Sequence, residues 1–439
     1  MSKEKKYILI ILALSLFTRF AFFGYPAETV FDEVHFGKFV SGYFTGEYFF
    51  DIHPPLGKLL IADMAKISGF EPGFSFETIG QKFTNDSYKW LRFLPKLTGA
   101  LLPIVIFLTA LKLGISQKFA FLSSLLLIFE NSLVVQSRFI LLDSFLLLFG
   151  FLAIFFCIRH MRHGMRTADL FFTGLFAILA ASIKWTGFTF LGLTFIFYLI
   201  EWLKSPQKIK LTLNGLIFLA VIPFLIYFSI FAVHFSLLDK PGPGLAFHSS
   251  DFQQKNIFLK FVELNIELYE SNARLTTAHP YSSKWYEWPF MTRPIFYWDG
   301  PSSAEASEGT VARIYLLGNP LIWWLSTITV IYFLINIFKK LKSVSSSHSL
   351  LAFGYLLNLL PFIFIGRVMF LYHYFVSLIF AVLILTHLLD KTDFKHKKIA
   401  FNTILISSII LFIFFSPLTY GLTIPDWYYK LTVWLPGWR

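Results

Sequence analysis

Long apolar runs dominate this chain, and they decide its class before any motif is read. A helix needs roughly 20 mostly apolar residues to cross a bilayer, and about eleven such runs stand in the sequence. The first spans about Lys6–Gly24. The next three lie near Pro95–Leu113, Phe119–Gln136 and Phe139–Ile158. A fifth and sixth share Leu170–Leu203, with a break near Lys184–Trp185. The rest lie near Leu211–His234, Arg313–Phe338, Leu350–Gly366, Val368–Leu389 and Ile399–Tyr420. The composition agrees, at 56% hydrophobic and 15% charged, where soluble domains carry about 25% charge. An all-α polytopic membrane protein follows. With no internal repeat and no soluble domain of independent size, residues 1–439 read as a single transmembrane domain.

The net charge of +12 is sorted by side rather than gathered into a nucleic-acid groove. With the N-terminus in the cytoplasm, every inside connection is basic, from Lys3, Lys5 and Lys6 through Lys339, Lys340 and Lys342 to Lys391, Lys395, Lys397 and Lys398. The short outside turns carry one basic residue each: Arg138, Lys184 and Arg367. That is the positive-inside pattern. It predicts an extracytoplasmic C-terminus and places two long polar segments, 25–94 and 237–312, outside. The start could pass for a secretory signal, but the later spans favour an uncleaved first helix. Cys157, the single cysteine, cannot form an internal disulfide and says nothing about redox compartment.

The first outside segment holds FDEVHFGKFVSGYFTGEYFFDIHPPLGKLLIA, Phe31 to Ala62. Asp32, Glu33, His35, Lys38, Glu47, Asp51, His53 and Lys58 crowd into it directly after an apolar run. Charges beside a membrane span are costly unless they face water, a partner or a substrate. A solvated loop would meet that condition. So would an amphipathic interfacial helix, which the spacing of Val34, Phe36, Phe39, Val40 and Tyr43 predicts. On that second reading the chain builds a lipid-facing pocket around Asp32 and Glu33.

The lone outside basic residues also carry two readings. Arg138 and Asp143 bracket roughly one helical turn at a span mouth, Lys184 sits at a break, and Arg367 precedes His373 and Tyr374. They either snorkel to the headgroups or form a cationic pocket for a lipid phosphate. In the second segment, TTAHPYSSKWYEWPFMTRPIFYWDG mixes aromatic residues with His279, Lys284, Glu287 and Arg293. That suits an interfacial belt or a wall facing a sugar or headgroup. Pro280, Pro289 and Pro294 argue against a long helix there, and Pro320 fits the first turn of the following span. There is no P-loop and no dinucleotide fingerprint. Glu33-x-His35 and Asp51-x-His53 are isolated pairs without a metal-ligand set, and Asp143 at a span mouth is the better functional candidate.

Seven stretches are familiar together: FDEVHFGKF, GEYFFDIHPPLGKLL, NSLVVQSRFILLDS, the Lys184-Trp185-x-Gly187 break, HPYSSKWYEWP, LLGNPLIWW and RVMFLYHYF. In this order, over nearly the whole chain, they resemble the protein O-mannosyltransferase family. The resemblance implies a GT-C glycosyltransferase fold and transfer of mannose from a polyprenyl- or dolichyl-phosphate donor to Ser or Thr of proteins crossing the membrane. It implies Asp32 as the catalytic base with Glu33 in support. It implies a donor-phosphate site that includes Arg138, Lys184, His373 and the segment with His279, Tyr281, Lys284 and Trp285. Asp143, Arg367 and His53 join these from the residue reading. The chain departs from the family in two ways. Its second segment is far too short for the MIR domain of eukaryotic members, and Glu130-Asn131 stands where Asp-Asn is more usual.

A lipid-phosphate sugar brings its own leaving group. The enzyme then needs a carboxylate to deprotonate the attacking hydroxyl and cations to receive the departing phosphate, with inversion at the anomeric carbon. The expected partners are the bilayer, the lipid donor, an acceptor polypeptide and the translocation machinery, without nucleic acid. No cofactor is expected, and a divalent metal is not supported. The expected location is the plasma membrane, with the active site extracytoplasmic. Two rivals remain: another GT-C transferase acting on a lipid or glycan, and a lipid-linked sugar flippase, which would favour charges and broken helices at the bilayer midplane.

Overall fold

A computed structural model of the chain describes residues 2–162, 166–300, 309–339, 345–392 and 395–439. Residues 301–308 of the second outside segment, and Lys340 and Lys342 among the inside basic residues, lie outside the described set.

Helix α1 (Lys3–Phe20) starts where the Ser2 hydroxyl accepts from the Lys5 amide. The first polar segment, 25–94, supplies α2 (Glu33–Thr45), stopped by Gly46 at φ 80°, and α3 (Leu56–Ile67). Then come α4 (Tyr88–Lys112), α5 (Gln117–Ile128) and α6 (Asn131–Arg138). The last two are bent by 57° where Glu130 interrupts them and caps α6 with its own carboxylate. Helices α7 (Asp143–Arg162) and α8 (Thr167–Ala181) form an extensively packed pair.

A 3-10 turn at Trp185–Gly187 leads into α9 (Phe188–Lys204). Gly187 is required at this break, because a Cβ there would sit 2.3 Å from the Ala180 carbonyl carbon. The chain folds back onto α8 and leaves Lys184 extended at φ −146°. Helix α10 (Lys208–Leu216) runs through a π-helical turn into α11 (Ile222–Leu237), and α12 (Ile257–Arg274) follows with Asn256 as its cap.

Strand β1 (Ile295–Asp299) pairs antiparallel with β3 (Arg313–Leu316), with a bulge between Phe296 and Trp298. Strand β2 (Thr310–Val311) pairs with β4 (Ile424–Pro425). The remaining helices are α13 (Pro320–Lys339), α14 (Ser346–Leu357), α15 (Phe375–Lys391), α16 (Lys397–Tyr420) and α17 (Asp426–Thr432). Two 3-10 turns, Leu360–Phe364 and Leu371–Tyr374, join α14 to α15. Nearly every side chain of α15 is buried against α13, α14 and α5.

Each expected apolar run holds a helix. Among the described residues, however, only 8 helices are long and apolar enough to cross a membrane, or 9 if α5 and α6 form one bent span. The first run falls short because Lys3, Glu4, Lys5, Lys6 and Arg19 load it with charge, and α8 because it has 15 residues. The break at Lys184 and the start of α13 at Pro320 fall where the sequence puts them. Helix α12 was not anticipated. Its packing face (Phe261, Leu264, Leu268) is diluted by a second, charged face, which hides it from hydropathy averaging. Residues 313–316 open no span; they pair as β3.

Candidate active site

Phe31 approaches α2 at φ 48°, a left-handed conformation costing a non-glycine residue roughly 1–2 kcal/mol. Its amide donates to the Tyr297 carbonyl at 3.0 Å, and its ring stacks on Tyr297 with centroids 4.0 Å apart. This fixes Asp32 at the N-cap of α2, where its carboxylate makes no capping bond. The Asp32 carboxyl is pushed up to about 7. Burial is the main cause; Asp143 and Asp51 add to it, and the Lys184 charge opposes it.

Glu33 turns the other way. Its carboxylate accepts Arg92 Nε and Nη2, both at 2.7 Å, and the Val30 and Ile140 amides, both at 2.9 Å. Arg92 spends its other donors on the carbonyls of Gly24, Pro26 and Glu28. Both side chains are fully buried.

A cavity of about 490 Å³ lies in front of Asp32's electrostatic partners. Its polar lining includes His53, Asp143, Lys184, Asn272, Arg367, Tyr372 and His373; its apolar lining includes Leu146, Leu147, Leu357, Phe362, Ile365 and Val376. Lys184 Nζ reaches both Asp143 oxygens, at 2.8 and 2.9 Å, and sits 4.8 Å from the Tyr372 ring centroid. Arg367 is steered by Asn272, which also donates to the Ile52 carbonyl at 2.8 Å. His373 Nδ1 lies 2.9 Å from the Phe370 carbonyl, and its ring stacks on Trp288. Lys58 binds Asp51 and the carbonyls of His53 and Pro54, which holds the turn that presents His53. Burial first, then the charge of Lys184, keeps the His53 imidazole far below its usual range and therefore neutral.

The structure thus gathers His53, Asp143, Lys184, Arg367 and His373 around one cavity, and the charges of Lys184 and Asp143 act on Asp32. It does not bring Arg138 there. That guanidinium donates to the carbonyls of Tyr25, Phe22 and Thr419, with its centre 4.4 Å from the Tyr420 ring centroid. The segment with His279, Tyr281, Lys284 and Trp285 lies behind the cavity wall. The His279 ring meets Phe370, Tyr281 stacks on Phe296, the Lys284 amide donates to Glu287, and Trp285 meets Tyr286 edge-on. The Ser283 amide, bonded to the Met369 carbonyl at 2.9 Å, braces the 367–373 turn from there.

Among the described residues no three His, Cys, Asp or Glu side chains converge on a metal-sized site. Glu33 and Asp51 of the two acid-x-His pairs are taken by Arg92 and Lys58. The sequence reading missed Gln136, Asn272 and Tyr372, and took Tyr297 only as one of the aromatic residues of the second polar segment. Gln136 left a signal, as a polar residue closing an apolar run. The arrangement offers a base of neutral acidity beside a cationic, amphipathic cavity, suited to a substrate with an anionic head and an apolar tail.

Two sequence families match the chain. The one described as dolichyl-phosphate-mannose-protein mannosyltransferase covers residues 9–239, and the C-terminal four-TMM region of protein-O-mannosyltransferase covers residues 257–438. Among curated proteins, dolichyl-phosphate-mannose–protein mannosyltransferase 4 of Schizosaccharomyces pombe is 39% identical over 57% of this chain and 35% of its own length. Protein O-mannosyltransferase 1 of Drosophila melanogaster is 34% identical over 55% of this chain and 29% of its own length. The chain therefore spans about a third of the length of these relatives.

Among solved structures, the Saccharomyces cerevisiae protein O-mannosyltransferase Pmt1-Pmt2 complex bound to the sugar donor superposes with a TM-score of 0.92 at 21% identity. The match covers 100% of this chain and 93% of that one. ArnT from Cupriavidus metallidurans bound to undecaprenyl phosphate gives 0.54 at 13% identity, over 95% of this chain and 76% of the other. These likenesses establish the GT-C fold.

Proposed function

The chain belongs to the dolichyl-phosphate-mannose–protein mannosyltransferase family, and from that premise we propose that it transfers mannose from a polyprenyl-phosphate donor to a Ser or Thr hydroxyl of a polypeptide. The observation that carries the proposal is a largely apolar cavity whose wall bears Lys184, Arg367 and His373, with Asp32 close enough for the Lys184 charge to act on its carboxyl.

The chemistry follows from the placement. Asp32 takes the proton of the acceptor hydroxyl as its oxygen attacks the anomeric carbon. The bond from that carbon to the phosphate oxygen breaks, and the phosphate leaves with the electron pair. Lys184, Arg367 and His373 receive the charge that develops on it. Attack from the face opposite the phosphate inverts the carbon. Asp143 aims Lys184 without leaving the cavity acidic. Glu33 and Arg92 fix the first turn of α2, so that Asp32 needs no reorganisation. Both outside segments contribute: 25–94 supplies the base, and 237–312 supplies Tyr297 and Asn272. The chain crosses the membrane several times. The basic connections support a plasma-membrane protein with a cytoplasmic N-terminus and with the site and C-terminus outside.

The test is direct. Purified protein is incubated with labelled polyprenyl-phosphate mannose and a Ser/Thr peptide, and the product is analysed for an α- or β-mannosyl linkage. Peptide labelling with inverted configuration is expected. Labelling of lipid or glycan but not of peptide would overturn the acceptor assignment.

A further inference from the structure

We infer that Gln136 is a positioning residue that sets the register between the base and the cation that receives the phosphate. The inference rests on the reading above and adds a component to it. Gln136 lies in α6, all of whose residues are buried, and is 4% exposed. Its carboxamide is used in both directions: Oε1 accepts the Tyr297 hydroxyl at 2.5 Å, and Nε2 donates to Asp143 Oδ2 at 2.5 Å.

Each partner leads to one half of the chemistry. Tyr297 holds Phe31 by the ring stack and the backbone bond, and Phe31 precedes Asp32. Asp143 holds Lys184 through both oxygens. A single amide therefore joins the outside strand β1, helix α7 and the break at Lys184. Tyr297 is fully buried and, between Asp32 and Asp143, its phenol stays protonated as a donor. Only a side chain that accepts at one end and donates at the other satisfies Tyr297 and Asp143 together.

Two variants separate positioning from mere packing. Gln136→Leu keeps the bulk and removes both bonds. Its kcat is expected to fall about tenfold to a hundredfold at every pH, as for a small misplacement of reacting groups, with donor KM within about threefold, since Lys184 remains. Gln136→Glu is isosteric, and it reproduces the donor–acceptor pattern only while protonated. The titratable and charged groups around it would be Asp143, Lys184, Tyr297, Asp32 and Tyr372. Burial and Asp143 favour its proton, and Lys184 opposes it. Its kcat should approach the wild-type value at the acidic end and fall on an alkaline limb that the wild type lacks. A structural role would not create that limb, and its absence would overturn the inference.

A second measurement stands apart from turnover. In a double-mutant cycle on thermal unfolding, Gln136→Leu and Tyr297→Phe should together lower Tm by less than the sum of the single losses. Additive losses would overturn the inference even if the acceptor proved not to be a peptide, whereas coupling without any transfer would indict the functional reading instead.

Discussion

Asp32 and Glu33 are neighbours in sequence but belong to two unlike regions. Behind α2, the Glu33–Arg92 pair is closed: every strong donor and acceptor around it is matched, and it is fully buried. In front, the Asp32 carboxylate has no capping partner, and the cations beside it face an open cavity. A saturated buried ion pair holds a frame together, because all its interaction energy is already spent. A partly satisfied group facing space has capacity left for a substrate. Placement separates the basic residues too: Arg138 donates to backbone carbonyls away from the cavity, whereas Lys184 and Arg367 stand on its wall.

The largest expected effect tests the open region. Asp32→Asn should lower kcat by at least about 10²-fold, as for a lost general base, without lowering Tm. The sign at Asp32 makes this sharper. Its pKa is raised from 3.8 to about 7, so the folded state holds the proton more tightly than the unfolded one. The stabilisation this provides is full below about pH 4 and is lost as pH rises toward 7. At pH 8 the Asn variant should therefore melt higher than the wild type, and at pH 4 the two should converge. In the wild type, kcat/KM should climb with pH and level off above about 7. An Asn variant that melts lower at pH 8 would mean that Asp32 belongs to the frame.

The closed region should respond in the opposite manner. Removing one partner of a buried ion pair costs about 3–5 kcal/mol, so Arg92→Met or Glu33→Gln should lower Tm strongly. The fraction that remains folded should lose far less turnover than Asp32→Asn, because the base itself is kept and only its positioning is loosened. A Glu33→Gln protein that keeps its Tm but loses turnover would move Glu33 across into the chemistry.

Between these lies the pair of basic residues. Lys184→Ala removes a charge-assisted contact and should raise donor KM about tenfold, with peptide KM unchanged. Arg138→Ala should lower Tm and leave donor KM in place. The reverse result would restore Arg138 to the phosphate site that the family resemblance implies for it.

Much of this was legible in the sequence. Apolar run length locates the helices but overcounts the spans, eleven against 8 or 9 among the described residues, and a charged cluster beside an apolar run marks the segment that holds Asp32, since uncompensated charge is costly there. Which member of the acidic pair is locked into an ion pair was not legible from the residues, because both have the same side-chain chemistry and the choice depends on Arg92, 59 residues away. Arg138 and Lys184 likewise look equivalent as lone basic residues at outside turns. Only the fold decides that one meets carbonyls and the other a cavity. Gln136 and Tyr297, 161 residues apart, carry no local signature of their meeting. Helix α12 was hidden because Lys260, Glu263, Glu267, Glu270 and Arg274 interrupt its apolar residues and lower the hydropathy average.

The smallest effect concerns the apolar end of the cavity, and it asks where donor affinity resides. Phe364 lines the cavity yet is 88% exposed, at the rim of the segment joining α14 to α15. In water, so bare a ring would be a strong anchor for a lipid chain. In a bilayer it is not, because the polyprenyl chain leaves one hydrocarbon environment for another and gains only packing. Phe364→Ala should therefore leave kcat and Tm unchanged and raise KM for a long-chain donor by less than about threefold. A short-chain, water-soluble donor should show a larger relative loss, since its tail does leave water. If Phe364→Ala instead raised the long-chain KM tenfold, as expected for Lys184→Ala, affinity would lie in the tail. The contrast between a charged region that holds the donor and an apolar region that merely admits it would then fail.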